Sequence, residues 1–226
     1  SIYKKMKGKF LNIIILMPIL SFAFNDITLD IHRVEPILEQ TPIYTPIVVP
    51  FSTEDIMDKV KGVDLILIVD VSLNMFYTPI NLVKESLKYL INLMNEQDNV
   101  ALINFDYSAN VLYNFTKMTE NNKQRLITTI SSLNVSLNFT ERQNFHDALE
   151  KALGLLKNYE TGDRISSMFL LGNGFYYNAT EIFKHLITQM GKDNYTFTLH
   201  TFSFGSIYSG STMQKLAMIR NGCFFY

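Results

Sequence analysis

The segment Asp70-Val71-Ser72-Leu73-Asn74 places a carboxylate, a hydroxyl and an amide at alternate positions, directly after the aliphatic run Val63 to Val69. Oxygen donors in that pattern can hold a hard cation, which prefers carboxylate, hydroxyl and carbonyl ligands. The same side chains can instead bond the backbone of their own turn. An aspartate after an aliphatic strand is also where some phosphohydrolases keep their nucleophile. That chemistry needs a second acid close to the first, and Ser72 stands in its place. A second candidate is Gly172-Asn173-Gly174, where an amide sits between two glycines after the apolar run Ile165 to Leu171. Its bland reading is a turn that needs unusual backbone angles. With no third glycine it is not a dinucleotide loop.

Other chemistry finds little support. His32, His146, His185 and His200 share no ligand spacing, and no serine stands in a nucleophile elbow. The only cysteine, Cys223, cannot staple the fold, and a paired-cysteine metal site is excluded; it reads as a small buried hydrophobe. The net charge is −1, with lysines and arginines scattered, so no basic stripe marks a nucleic-acid surface.

The elements that must position these residues follow from periodicity. Val63–Val69 is almost wholly aliphatic, as expected of a strand buried on both faces of a parallel sheet. Thr78-Pro79 suits a cap and first turn, and Ile80, Val83, Leu87, Leu90, Ile91 and Met94 recur at helical spacing. Val100–Phe105 and Val111–Phe115 read as two strands joined by a turn, an antiparallel hairpin. Thr119 caps a helix through Leu126, Ile130 and Leu133; Phe145 to Leu156 gives the next. Ile165–Leu171 and Phe197–Phe204 are further strands. A helix opens at Asn178, another runs near Thr212 to Arg220, and a strand begins at Cys223. Strands alternating with helices predict an α/β fold: a doubly wound, mostly parallel sheet with one antiparallel edge strand and helices on both faces. In such sheets ligands bind at the carboxyl ends of the strands, where Asp70 and Asn173 both fall.

Several segments, in order, resemble the von Willebrand factor type A domain. Asp70-Val71-Ser72-Leu73-Asn74 is similar to the Asp-x-Ser-x-Ser of its metal-ion-dependent adhesion site. Asp98 to Phe105 resembles its second strand, and Gln143-Asn144-Phe145-His146-Asp147-Ala148-Leu149 its Thr-Asn-Ile-x-x-Ala-Leu helix start. Phe169 to Gly174 resembles its Leu-Leu-Thr-Asp-Gly turn, Leu199 to Gly205 its fifth strand, and Leu216 to Tyr226 its end. The resemblance implies a Rossmann-like fold over residues 63–226, a non-enzymatic adhesion or protein-binding role, and another protein as partner. It also implies that the family's final helix would follow Tyr226.

The resemblance further implies a metal site made of Asp70, Ser72, Asn74, Gln143 and Asn173. Three of these depart from the pattern: Asn74 replaces a serine, Gln143 a threonine and Asn173 an aspartate. Losing one carboxylate about 4 Å from a divalent ion removes roughly 8 kcal/mol of gross attraction at an effective dielectric near 20. The expected site is degenerate, weak or empty toward Mg²⁺ or Mn²⁺, with no other cofactor. The alternative is metal-dependent adhesion through altered ligands. Aromatic and apolar loop residues flank the site: Met75, Phe76, Tyr77, Phe175, Tyr176 and Tyr177. Such residues at a functional edge suit a partner contact.

Residues 1–23 have the order of a secretory signal: basic Lys4 to Lys9, apolar Phe10 to Leu20, then small residues at Ser21 and Ala23. An uncleaved signal anchor is the alternative and would supply the only membrane contact. Residues 24–62 read as an N-terminal extension with short strands. Sequons at Asn114, Asn134, Asn138, Asn178 and Asn194 fit a secretory route to an extracellular or membrane-anchored protein, with a cytoplasmic location as the alternative.

Overall fold

The computed structural model describes residues 62–137, 144–159, 164–174, 196–204 and 210–226. Chain order runs β1 (Val63–Asp70), α1 (Thr78–Leu93), β2 (Asn99–Phe105), β3 (Ala109–Lys117), α2 (Glu120–Ser131), α3 (Phe145–Asn158), β4 (Ile165–Gly172), β5 (Thr198–Ser203), α4 (Gly210–Ile219) and β6 (Phe224–Phe225). The strands form one sheet in the order β3-β2-β1-β4-β5-β6. Among the described strands only β2 and β3 pair antiparallel; every other neighbour is parallel. This is the doubly wound, mostly parallel sheet with one antiparallel edge that the alternating pattern predicts.

Alternation along β1 divides the core into two. Leu65, Leu67 and Val69 pack with Val83, Leu87, Leu90 and Ile91 of α1 and with Leu126 and Ile130 of α2. Ile66 and Ile68 pack with Phe145, Leu149 and Ala152 of α3 and with Met213 and Leu216 of α4. Both faces of the strand are therefore buried, which is why its sequence is a continuous aliphatic run and not an alternating one.

Two helix starts are capped by a side chain, at Thr119 as expected and at Asn144. The Thr119 hydroxyl accepts from the Asn122 N–H at 3.4 Å, and the Asn144 side chain accepts from the Asp147 N–H at 3.0 Å. At α1 the cap is Tyr77, with Thr78 already inside the helix and Pro79 in its first turn.

At the amino ends of the strands, Asp64 is fully buried and accepts from Arg164 Nε at 2.9 Å and from Asn99 Nδ2 at 2.7 Å. Arg164 also donates to the Gln97 and Val63 carbonyls, so one guanidinium ties the starts of β1, β2 and β4 together. Cys223 does not behave as a buried hydrophobe. It is exposed and leads into the short strand β6, which has no outer neighbour among the described residues.

Candidate functional site

The carboxyl ends of β1, β2, β4 and β5 meet along one edge of the sheet, and backbone bonds hold the loops there. The Val71 N–H donates to the Phe105 carbonyl at 2.8 Å, and the Ser136 N–H to the Val71 carbonyl at 2.7 Å. The Asn144 N–H reaches the Asp106 carbonyl at 2.7 Å, and the Phe204 N–H the Gly172 carbonyl at 3.1 Å. Asp147 anchors the hairpin by accepting from the Ala109 N–H at 2.7 Å, and Lys151 bonds both Asp147 and the Ala109 carbonyl.

Asp70 is fully buried at the centre of this edge. Its Oδ1 accepts from the Ser72 N–H at 2.8 Å. Burial pushes its carboxyl up to about 6; bonds from the Ser72 N–H and hydroxyl and from the Asn173 N–H pull it back, and the charge of Asp106 raises it further. Gly172 is the neighbour that makes room. A Cβ there would lie 2.8 Å from Asp70 Cβ and 3.0 Å from its Oδ2. Gly172 in turn pairs with Ser203 across β4 and β5. Asp70, Gly172 and Ser203 thus follow one another across the sheet, with only the glycine between the carboxylate and the hydroxyl. Ser203 is 8% exposed, and its Oγ has no hydrogen-bond partner.

The expected site residues part company here. Asp70, Ser72 and Asn173 come together: Asn173 is buried and its backbone bonds Asp70. Asn74 is exposed on the short 3-10 turn Leu73–Met75. Gln143, Phe175, Tyr176 and Tyr177 lie outside the described residues, as do Asn138, Asn178 and Asn194. Among the flanking apolar residues, Met75 does not belong to the surface. It is completely buried in the core beneath α1, because the 3-10 turn directs it inward. Phe76 is exposed, and Tyr77 is 73% exposed with its ring edge-on to Phe76 at 4.0 Å. Tyr77 takes φ 62°, ψ −108°, a left-handed backbone unusual for a residue with a side chain.

Two features escaped sequence reading. Asp106 follows β2 directly, half-buried, with Oδ1 accepting from the Ser108 N–H at 3.1 Å. Its position after an apolar strand is the same signal that marks Asp70. Tyr107 and Leu137 are both exposed on loops of this edge. Among the described residues no group of three or more His, Cys, Asp or Glu is arranged to hold a metal. His200 lies on β5, away from the carboxylates, where its Nδ1 accepts from the Cys223 N–H at 3.1 Å and burial lowers its pKa to about 4.

A doubly wound α/β domain with a loop-built oxygen site at its strand ends defines the class of protein. The von Willebrand factor type A domain model matches residues 64–226, and the chain belongs to that family. No curated protein matches it at a significant level. Among solved structures, a von Willebrand factor type A protein from Catenulispora acidiphila is 17% identical, with a TM-score of 0.59, over 74% of this chain and 38% of its own. Proximal thread matrix protein 1 of the mussel byssus, with a zinc-occupied metal-site motif, is 16% identical (TM-score 0.56; 73% of this chain, 41% of that one). Manganese-loaded TRAP protein of Plasmodium vivax is 17% identical (TM-score 0.57; 74% and 68%). The chain thus spans about two fifths of the Catenulispora and mussel proteins. These likenesses concern the fold.

Proposed function

We propose that this chain is a non-enzymatic protein-binding module that meets another protein through the carboxyl edge of its sheet. The observation that carries the reading is the Phe76–Tyr77 pair. Two aromatic rings stand in solvent on the loop that follows Asp70, and Tyr77 holds a left-handed backbone. Holding such a backbone costs about 1–3 kcal/mol, a feature that concentrates at functional sites. Solvent-facing aromatics of this kind dominate binding energy at interfaces.

The residues present fit a divalent cation poorly. Asp70 is the one carboxylate among the five family positions, Asn173 offers a neutral amide, and Asn74 faces solvent. Gln143 is longer than the threonine it replaces. The site is a decayed metal site, and partner recognition proceeds by shape and hydrogen bonding without Mg²⁺ or Mn²⁺. The phosphohydrolase alternative lacks its second acid at Ser72.

We place the chain in the secretory pathway, with the leader cleaved after Ala23. The sequons at Asn114 and Asn134 support this by being exposed. Among the described residues no helix is long and apolar enough to cross a membrane.

The test is affinity capture with the wild-type chain and with a Phe76→Ala/Tyr77→Ala variant that retains its circular dichroism. Proteins held by the wild type should fall at least about tenfold in the variant, as expected for paired hot spots. Equal capture by both would remove the aromatic face as the binding surface. Turnover of an aryl phosphate that Asp70→Asn abolishes would overturn the non-enzymatic reading.

A further inference from the structure

We infer that the partner group received at this edge is a cation, the side chain of a lysine or arginine. The inference rests on the protein-binding reading above and adds the chemistry of what binds. A bound divalent ion makes a site electropositive and calls for an acidic partner; without one, the protein's own charges decide the sign.

Among the described residues those charges are negative. The described loops of the edge (residues 71–77, 106–108, 132–137, 173–174 and 204) contain no lysine or arginine. Asp70 pairs with Phe105 across β1 and β2, which brings the following residue, Asp106, next to it. The nearby cation Lys151 is engaged by Asp147 and by the Ala109 carbonyl, and Asp147 is bonded to Ala109 as well. The edge therefore keeps Asp106, half-buried and reachable, with Asp70 recessed behind it.

A second observation points independently to a ligand. The Ser203 Oγ is buried and makes no hydrogen bond, although a buried hydroxyl normally finds a partner. It belongs to the row Asp70, Gly172, Ser203, in which the Asp70 side chain packs over the bare Gly172 that separates the two strands. The carboxylate and the hydroxyl can both accept an N–H donor. A recessed acceptor set suits the long, flexible side chains of lysine and arginine, which carry several donors at their tips. The loops that follow β1 and β2 have matching chemistry: Phe76, Tyr77 and Tyr107 are exposed on them, and aromatic faces attract cations.

The experiment uses the full chain in EDTA with two fluorescein-labelled peptides, acetyl-Gly-Arg-Gly-Arg-Gly-amide and acetyl-Gly-Glu-Gly-Glu-Gly-amide, read by fluorescence anisotropy. The arginine peptide should bind at least about tenfold more tightly, and increasing salt should weaken it. Asp106→Asn should weaken it about three- to tenfold, and Ser203→Ala should weaken it too. Glu85→Gln, which alters an exposed acid on α1, should leave it unchanged. No binding by either peptide, or equal losses from Asp106→Asn and Glu85→Gln, overturns the inference. Binding of the glutamate peptide that Tyr77→Ala abolishes keeps the binding face and overturns the charge assignment. Binding of the arginine peptide that neither Tyr77→Ala nor Tyr107→Ala reduces removes the face itself, and the inference with it.

Discussion

Gly172 and Asp70 are packed so closely that a methyl group on the glycine would stand 2.8 Å from Asp70 Cβ. The contact is with the stem of a fully buried side chain, not with a flexible end. Gly172→Ala should therefore lose about 1–3 kcal/mol of stability, the usual cost of overpacking a filled interior. Urea unfolding followed by circular dichroism measures it. A stability within 0.5 kcal/mol of wild type, about the scatter of a neutral surface change, would show that the row can spread.

Two buried groups titrate with opposite effects on stability. Asp70 has its folded pKa raised to about 6 from 3.8, so between these values the folded state holds a proton that the unfolded chain has lost. Its contribution to stability falls as pH rises through that window. His200 has its folded pKa lowered to about 4 from 6.5, so there the unfolded chain holds the extra proton and stability falls as pH drops. Each effect is of order 3 kcal/mol over its window and opposite in sign to the other. Compared with wild type, Asp70→Asn should lose stability more steeply from pH 6 down to 4. His200→Gln should gain stability over the same range. Urea titrations at steps of pH check both; parallel curves for all three proteins would contradict the assignment.

Metal binding provides a third check. Calorimetric titration of the wild-type chain with Mg²⁺ or Mn²⁺ should show no saturation at millimolar concentration, and micromolar saturation would restore metal-dependent adhesion. The fold still brings Asp70, Ser72 and Asn173 together. The variant Asn74→Ser/Gln143→Thr/Asn173→Asp should therefore gain a site, because hydroxyl and carboxylate oxygens suit these ions. Its stability should then rise by about 2.7 kcal/mol at a hundredfold excess of metal over the dissociation constant. A folded variant whose melting temperature ignores metal would refute the equivalence of these positions with the family's site.

The pair at the opposite end of the sheet should matter more for folding than for binding. Arg164→Leu leaves the Asp64 carboxylate buried with no counter-charge, and removing one member of such a pair costs about 3–5 kcal/mol. Asp64→Asn/Arg164→Leu should recover part of that loss, and a double-mutant cycle measures the coupling. Strict additivity of the two single changes would show that the charges do not depend on each other.

The sheet was legible in the linear pattern because burial on both faces leaves a one-dimensional trace. Val63 to Val69 must be aliphatic throughout, and the short gap between Phe105 and Val111 permits little but a hairpin. Asp70 was legible for the same reason: it is where that run stops. The rest depended on distance in the fold. Met75 reads as one of three apolar loop residues, yet a 3-10 turn buries it while Phe76 and Tyr77 stay in water. Arg164 meets Asp64 across a hundred positions, and no periodicity links them. Ser203 enters the row of Asp70 only because β4 lies between β1 and β5 and brings a glycine to the shared level. Local hydrophobic spacing sets which strands and helices form. The order in which strands pair, set by how the two apolar faces are covered, decides which distant oxygens share a site.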